Sequence, residues 1–201
     1  MTLPAEEDRI RCPWAVAAAG SDRILMRDYH DHEWGRPLRG ATPMFERMTL
    51  EAFQSGLSWL IVLRKRENFR AAFRGFDVET VAGFTEADVQ RLMTDTGIVR
   101  NRAKIAATIA NARAVVDLGA DLSEFLWAHA PSPRPRPAGP ADVPAQTPES
   151  RALARELKAR GFRFVGPTTI YALMQATGMV DDHMQDCWVS PVRGGAGLES
   201  S

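Results

Sequence analysis

The sequence predicts an all-α protein, and three observations support this class. Apolar residues recur with helical spacing in several segments, and capping residues precede some of those segments. No stretch shows the alternating, β-branched pattern that is typical of a strand. With 201 residues, of which 45% are hydrophobic, the chain is long enough to bury one sizeable core, or a core with a small subdomain.

The first two predicted helices are marked by their N-terminal residues. The segment TPMFERMTLEAFQSGL at 42–57 starts with Thr42 as the cap and Pro43 at the first helical position. The segment TEADVQRLM starts with a capping box formed by Thr85 and Asp88. Both arrangements predict a helix start.

Three more helices are predicted in the second half of the chain. NRAKIAATIANARAVVDL at 101–118 has helical period, and GPTTIYALMQATG at 166–178 is an apolar helix between glycines. Between them, TPES at 147–150 repeats the capped start, and the helix that it opens stops at Gly161. The segment at 131–148 holds seven of the 13 prolines, so we expect an extended, solvated connector there.

Composition argues against membrane and secreted proteins. No apolar run approaches the roughly 18 residues that span a bilayer. The N-terminus MTLPAEED is acidic where a secretion signal is basic and then apolar. We therefore expect a cytoplasmic protein with no membrane partner. The two cysteines, 175 positions apart, are more typical of reduced thiols or metal ligands than of a disulfide framework.

Charge is balanced overall but clustered locally. The formal net charge is zero, yet the segments at 64–74 and 151–163 each carry five cationic residues against one acid. The segment at 100–104 carries three cationic residues and no acid. Such clusters are common on solvated helix faces, and they are also expected where a protein contacts phosphates. Together they are compatible with a DNA partner.

Each cysteine has a histidine within reach. Cys12 stands 18 positions before His30, and His183 and Cys187 are four apart, which places both on one face of a helix. Two such pairs could form a tetrahedral Zn²⁺ site that ties the N-terminal segment to the C-terminal one. The alternative is two buried free cysteines with incidental surface histidines. Spacing alone does not separate His30 from His32 as the ligand.

A carboxylate is predicted inside an apolar stripe. On a helical wheel Glu51 lies on the same side as Met44 and Met48. A buried carboxylate is costly unless it is paired, hydrogen-bonded or used in chemistry, and the alternatives are that Glu51 bends out to water or pairs with a basic residue. QSGLSW at 54–59 then favours a break before Trp59, so that an acid and an indole would line one pocket.

Six blocks of the sequence resemble the DNA-3-methyladenine glycosylase I family. They are CPW (12–14), YHDHEWG (29–35), LEAFQSGLSW (50–59), LRKRENFRAAF (63–73), GIVRNRAKI (97–105) and GFRFVGPTTIYALMQATGMVDDH (161–183). They keep the family's order. The resemblance implies a helix-hairpin-helix DNA glycosylase fold in one domain at 11–188, which contains the connector at 131–148. Tails at 1–10 and 189–201 lie outside it.

The resemblance also implies roles for individual residues. One structural Zn²⁺ would be held by Cys12, His30, His183 and Cys187. Glu51 would contact the edge of the flipped base, with Tyr29 and Trp59 as stacking partners and Trp14 and Trp34 nearby. Met26 stands where the family often has a tyrosine. Leu57 is our candidate for the apolar wedge, and Asp181 in VDDH is a second-rank catalytic carboxylate.

The implied activity is base excision from alkylated double-stranded DNA by a monomer. The enzyme would flip out 3-methyladenine and let water attack its N-glycosidic bond, without lyase activity. The hairpin GFRFVG at 161–166 would meet a phosphate, although the sequence alone favours a simple helix–helix turn with glycine caps. For Lys104 we expect phosphate contact or solvent exposure. Two alternative functions are a zinc-stabilised DNA-binding protein without catalysis and a zinc hydrolase or deaminase. A zinc hydrolase or deaminase needs an open coordination position on the metal.

Overall fold

The computed structural model describes residues 9–191, and this part of the chain is helical without any strand. The helices are α1 (Pro13–Val16), α2 (Ser21–His32), α3 (Ala41–Gln54), α4 (Trp59–Arg64), α5 (Arg66–Ala72), α6 (Val78–Ala82), α7 (Glu86–Thr94), α8 (Arg102–Asp117), α9 (Leu122–Trp127), α10 (Pro148–Ala159) and α11 (Pro167–Ala176). Short 3₁₀ turns lie at Arg74–Phe76 and Pro140–Asp142. The all-α prediction is confirmed. The predicted tails fall almost entirely outside the described residues.

Two of the three predicted helix starts are correct. The capping box of Thr85 is formed at the start of α7, and Thr147 caps α10 by accepting a hydrogen bond from the backbone N–H of Ser150. The start predicted for α3 is wrong. The helix begins at Ala41, so that Thr42 lies inside its first turn and Gly40 takes the N-cap position with φ of 95°. That left-handed conformation favours glycine, and it moves the start two residues upstream.

Helix α3 is the centre of the core. It packs against α4, α6, α8, α9 and α11. Nine of its residues are buried, as expected of a helix surrounded on most sides. Phenylalanines extend this core, with Phe53 and Phe69 ring centroids 4.7 Å apart and Phe73 stacked on Phe76 at 5.5 Å. Because α3 is fixed on so many sides, the side chains at its C-terminal end are held in defined positions.

The connector is extended, but it is bound to the protein at several points. Most of its residues are exposed, as expected. Arg134 nevertheless pairs with Asp182, and Arg136 donates a hydrogen bond to the Val189 carbonyl over 2.7 Å. The Pro137 carbonyl accepts a hydrogen bond from the backbone of Gln185. The connector is therefore extended and mostly solvated, as expected, and its arginines in addition have partners in the segment after α11.

The α10–α11 hairpin is held against α8. Phe162 and Val165 are buried beneath it, whereas Phe164 at its tip is exposed. The Asn111 side chain of α8 accepts from the Arg163 backbone N–H over 2.7 Å and donates to the Arg163 carbonyl over 3.0 Å. The hairpin between the predicted helices is thus a fixed element. Within residues 9–191 no helix has the length and apolar character needed to cross a bilayer.

Candidate active site and metal centre

Four buried side chains meet where the N-terminal and C-terminal segments touch. They are Cys12, His30, His183 and Cys187, and their ligand atoms all lie within 4.8 Å of one another. Cys12 precedes α1, His30 lies in the last turn of α2, and the other two follow α11. His32 is exposed on the opposite side of α2. The structure therefore selects His30 over His32, which spacing alone does not.

The separations within this cluster fit a tetrahedral metal ion. The Cys12 sulfur lies 3.6 Å from His183 Nδ1, and the Cys187 sulfur lies 3.5 Å from His30 Nε2. Ligand distances of about 2.3 Å for sulfur and about 2.1 Å for nitrogen would separate the two atoms by about 3.6 Å at the tetrahedral angle. These two separations therefore match those expected around a tetrahedral metal ion.

A second layer of contacts orients the two histidines. His30 Nδ1 lies 2.7 Å from Asp31 Oδ1, which leaves Nε2 to face the cluster. Asp31 in turn accepts hydrogen bonds from Arg11 and from the Trp188 indole, and its pKa is lowered despite burial because these groups stabilise its charge. His183 Nε2 lies 3.2 Å from the Trp34 carbonyl oxygen. Carboxylate and carbonyl partners of this kind are typical of metal-bound histidines.

Beside the cluster lies a cavity of about 580 Å³, a volume suited to a small flat molecule. It is lined mainly by apolar and aromatic side chains with a few polar groups: Pro13, Trp14, Met26, Tyr29, Trp34, Glu51, Gln54, Trp59, Pro140, Val143, Ala172, Gln175, Asp182 and Met184. Six of the predicted site residues are among them. The cavity is therefore assembled from α1 to α4, the connector, α11 and the segment after it.

Glu51 projects from α3 into this cavity. It is only 5% exposed, and among the described residues no side chain or backbone group donates a hydrogen bond to it. Burial raises the pKa of Glu51 to about 7, and the nearby Arg47 guanidinium opposes that rise. The prediction of a carboxylate inside an apolar stripe is confirmed in its geometry. Glu51 neither bends out to water nor forms a direct ion pair.

Two aromatic rings stand beside Glu51. The ring centroids of Tyr29 and Trp59 are 5.1 Å apart and inclined at 39°. Trp14 and Trp34 continue the aromatic surface toward the metal cluster, with centroids 5.1 Å apart in an edge-to-face contact. The Trp59 indole N–H is buried and has no hydrogen-bond acceptor within the described part of the chain. The cavity thus offers ring faces, an unpaired donor and a carboxylate to a ligand.

Two predicted residues lie outside the cavity lining. Leu57 stands in the loop between α3 and α4, half-buried, where its carbonyl accepts a hydrogen bond from the Gln54 side chain over 2.9 Å. Asp181 accepts a hydrogen bond from Arg136 over 2.8 Å. Its neighbour Asp182 faces the cavity instead.

Three polar residues of the cavity were not predicted from the sequence, namely Gln54, Gln175 and Asp182. Asp182 is buried and accepts hydrogen bonds from Arg134, Tyr171 and Gln175, at 2.7 Å from Arg134 and 2.8 Å from Gln175. Gln54 lies three positions after Glu51, and this spacing on a helix was a usable signal. Nothing in the sequence distinguishes Asp182 from Asp181, because neither lies in a helix whose period would separate their directions.

The expectation for Lys104 is wrong. It is neither exposed nor placed at a surface that a phosphate could reach. Its ammonium group is buried and donates to the carbonyls of Phe53 and Ser55, over 2.8 and 2.6 Å. These carbonyls end α3, where the helix dipole favours a cation. Desolvation lowers the pKa of Lys104. Lys104 therefore fixes the end of α3 that carries Glu51 and Gln54.

The basic segments are partly neutralised within the fold. In the segment at 64–74, Arg64 pairs with Asp22, Arg66 with Glu33, and Arg70 with Glu46 and Glu67. In the segment at 151–163, Arg160 pairs with Glu156. Arg151, Arg155 and Lys158 are not fully buried, and no ion pair joins any of them to the rest of residues 9–191. Arg74 and Arg100 are also exposed without an ion pair in this part of the chain, and the three cations on α10 lie beside the hairpin.

The chain is similar to proteins of known activity over most of its length. The family model for methyladenine glycosylase matches residues 19–190. The DNA-3-methyladenine glycosylase of Haemophilus influenzae is 42% identical over 183 residues, which cover 88% of this chain and 96% of that protein. DNA-3-methyladenine glycosylase 1 of Escherichia coli is 43% identical over 187 residues, which cover 90% and 97%.

Solved structures of similar proteins share the fold. A crystal structure of a 3-methyladenine DNA glycosylase I superposes with a TM-score of 0.84 at 44% identity, covering 90% of this chain and all of that one. The Staphylococcus aureus enzyme, solved to explain 3-methyladenine recognition, gives a TM-score of 0.85 at 31% identity, covering 92% of this chain and 100% of the other. The overall helical architecture is therefore shared over about 90% of this chain.

Proposed function

The chain belongs to the methyladenine glycosylase family, and from that premise we propose that it removes 3-methyladenine from alkylated double-stranded DNA by base flipping and hydrolysis. It is a DNA-3-methyladenine glycosylase. The observation that carries the mechanism is a buried carboxylate, Glu51, beside the aromatic pair Tyr29 and Trp59 in a cavity of about 580 Å³. A target base is inaccessible inside a duplex, so the nucleotide must leave the stack to enter such a cavity.

The charge of the substrate explains why this cavity selects it. In DNA, 3-methyladenine is cationic, so its glycosidic bond is weakened before the enzyme acts. A cationic ring is attracted by the faces of Tyr29 and Trp59. The Glu51 carboxylate can accept a hydrogen bond from the exocyclic amine and stabilise the positive charge. Unmodified adenine carries no such charge, and it is bound less well for that reason.

Water attacks C1′ of the flipped nucleotide, and the base leaves with the electrons of the glycosidic bond. No side chain forms a covalent bond in this scheme, so the enzyme is monofunctional and has no lyase activity. Lys104 supports this assignment, because its amine is occupied by two backbone carbonyls. We assign Trp14, Trp34 and Met26 to base contacts, since all three line the cavity. We keep Asp181 as a secondary carboxylate to be tested after Glu51.

The DNA backbone would be held by the α10–α11 hairpin and by the cations of α10. Backbone N–H groups at the start of α11 and the helix dipole favour a phosphate there. Leu57 would fill the gap left by the flipped nucleotide. Its loop supports this role, because it leaves α3 directly after Gln54, which lines the cavity. We further propose that the protein acts as a cytoplasmic monomer.

The metal is proposed to be one structural Zn²⁺ per chain. Two thiolates and two imidazoles are typical of zinc, and the four ligands would leave no open position for a reacting water. When bound, the ion would fasten the segment before α1 to the segment after α11. It would thereby support Pro13, Trp14 and Met184 in the cavity wall. A zinc hydrolase or deaminase is disfavoured by the same closed ligand set.

The deciding experiment is release of free 3-methyladenine from methylated duplex DNA. We expect release of the base with an intact abasic strand, since a lyase would cut the strand. Binding of methylated DNA without base release at any enzyme concentration would instead favour the non-catalytic DNA-binding protein. Light scattering of the purified protein, alone and with DNA, tests the monomer.

A further inference from the structure

A buried arginine lies directly behind the candidate base site. Arg47 of α3 is 8% exposed and stands one helical turn before Glu51. Its Nη1 donates to the Tyr29 hydroxyl over 2.5 Å, and its Nη2 lies 3.3 Å from Glu33. The guanidinium carbon lies 5.1 Å from the Tyr29 ring centroid and 5.7 Å from that of Trp59. One cation thus contacts both aromatic rings of the site.

Its charge has the wrong sign for direct recognition of a cationic base. A fixed positive charge behind the two rings opposes the approach of another cation. Burial of an arginine is also costly unless its charge is compensated. Arg47 must therefore contribute something other than direct attraction, and its two neighbours in the cavity show what this is.

The first neighbour is Glu51. Burial favours the neutral acid, and the Arg47 guanidinium is the nearby charge that favours the carboxylate. The other charged or titratable groups facing Glu51 are Tyr29 on α2 and, across the cavity, Asp182 after α11. Neither carries a positive charge. Only the ionised form of Glu51 can stabilise a cationic base, so Arg47 keeps Glu51 in the useful form.

The second neighbour is the Tyr29 hydroxyl. It accepts a hydrogen bond from Arg47, so its own hydrogen points elsewhere. Among the described residues it has no acceptor, and Tyr29 lines the cavity. The hydroxyl hydrogen is therefore available to a ligand in the cavity.

We propose that Arg47 is a positioning residue that keeps Glu51 ionised and turns the Tyr29 hydroxyl into a donor toward the bound base. This inference rests on the proposed function. Arg47 need not touch the substrate. Glu33 forms ion pairs with both Arg47 and Arg66. Its negative charge therefore weakens the effect of the Arg47 charge on Glu51.

The test is the pH profile of single-turnover excision from methylated duplex DNA at saturating enzyme. The base in DNA keeps its charge over the range, so the profile reports the enzyme. Because the ionised acid is the active form, excision is lost as pH falls through the pKa of Glu51. Arg47→Met raises that pKa, and we expect the midpoint to move upward by about one pH unit or more. Above the new midpoint, excision should partly recover.

Glu33→Gln supplies a shift of opposite sign. It removes a negative charge beside Arg47, so the midpoint should move downward. Arg47→Lys keeps the charge without the fork that reaches Tyr29, so it should restore the midpoint but not the full maximal rate. Arg91 of α7 donates hydrogen bonds to the Ala72 carbonyl and to Asp88, away from the cavity. Arg91→Met is therefore the matched control and should leave the pH profile unchanged.

The role of Arg47 is overturned if the wild-type enzyme is active and both Arg47→Met and Glu33→Gln have the same pH midpoint as the wild type. If Arg47→Met does not fold, a Glu33→Gln profile without a downward shift overturns it equally. A wild-type protein that releases no base at any pH overturns the proposed function itself, which is a separate result.

Discussion

At the scale of single residues, the site depends on a carboxylate kept in an unfavourable place. Glu51 has no hydrogen-bond donor within residues 9–191, and its burial raises its pKa to about 7. In the unfolded chain the same group has a lower pKa. At pH values above the unfolded pKa, ionisation of Glu51 therefore destabilises the folded state. This destabilisation is largest once the pH exceeds the folded pKa. Such a cost is expected where a charge is reserved for a ligand.

Replacing Glu51 by glutamine should separate function from stability. We expect Glu51→Gln to reduce single-turnover excision severely with little change in duplex affinity, because the carboxylate contacts only the flipped base. Thermal and urea unfolding should show a gain of up to about 3 kcal/mol above pH 7 that disappears below about pH 4.5. Unchanged excision at saturating enzyme would refute the role of Glu51 and make Asp181 the next residue to test, with Asp182 after it.

Trp59 should contribute by stacking. Trp59→Ala is expected to weaken binding of free 3-methyladenine by about 1–3 kcal/mol, the usual value for a base stacked on an aromatic side chain. Isothermal titration with the free base measures this directly. Phe164→Ala, an exposed aromatic on the hairpin, is the control and should bind the free base as the wild type does. Equal affinities for wild type and Trp59→Ala would remove Trp59 from the base site.

At the scale of elements, the end of α3 matters most, because it brings Glu51 and Gln54 to the cavity and leads into the loop of Leu57. Lys104 of α8 fixes this end from a distance of about fifty positions in sequence. The arrangement couples the stability of two helices to the geometry of the site.

Lys104→Met should therefore weaken both stability and excision. It leaves the Phe53 and Ser55 carbonyls without their donor, which costs about 1–3 kcal/mol for each buried group left unsatisfied. Excision should fall more than free-base affinity, since the loop with Leu57 acts only on DNA. Arg113→Met, which removes donors to the Ala82 and Phe84 carbonyls away from the cavity, is the matched control and should leave excision unchanged. A Lys104→Met protein with wild-type unfolding and excision would show that this contact has no such role.

The sequence predicted a helix start correctly where the contacts that set the start lie within one helical turn. Thr85 and Thr147 cap their helices through contacts within one turn, so the sequence nearby contains the whole cause. Thr42 failed because the backbone of Gly40 decides that helix start. Lys104 failed because its partners belong to another helix. A contact between distant segments leaves no pattern near either residue.

At the scale of the whole molecule, the metal cluster joins segments 175 positions apart. The spacing in the sequence was enough to pair each histidine with a cysteine. It could not predict the cavity that lies beside the cluster. The connector's place in the cavity wall had no signal either, because its arginines bind the segment after α11, which is distant in sequence. The resemblance to a known family linked the cluster to the residues of the base site, but it did not place the connector there.

Loss of the metal should affect the entire domain. We expect one tightly bound zinc per chain by elemental analysis of protein purified without chelator. Cys187→Ser should lower the melting temperature, because metal binding and folding are coupled in a closed site. Protein that is fully folded and active with no zinc would contradict the structural assignment.

The position of the cluster also has a consequence for biosynthesis. Cys12 and His30 leave the ribosome early, but they have no complete site until His183 and Cys187 have been translated. Trp14 and Met184, which both line the cavity, belong to these early and late segments. A nascent chain that stops before the late segment therefore has no closed base pocket. Excision activity should arise only when translation of the domain is almost complete, which keeps incomplete products from acting on DNA.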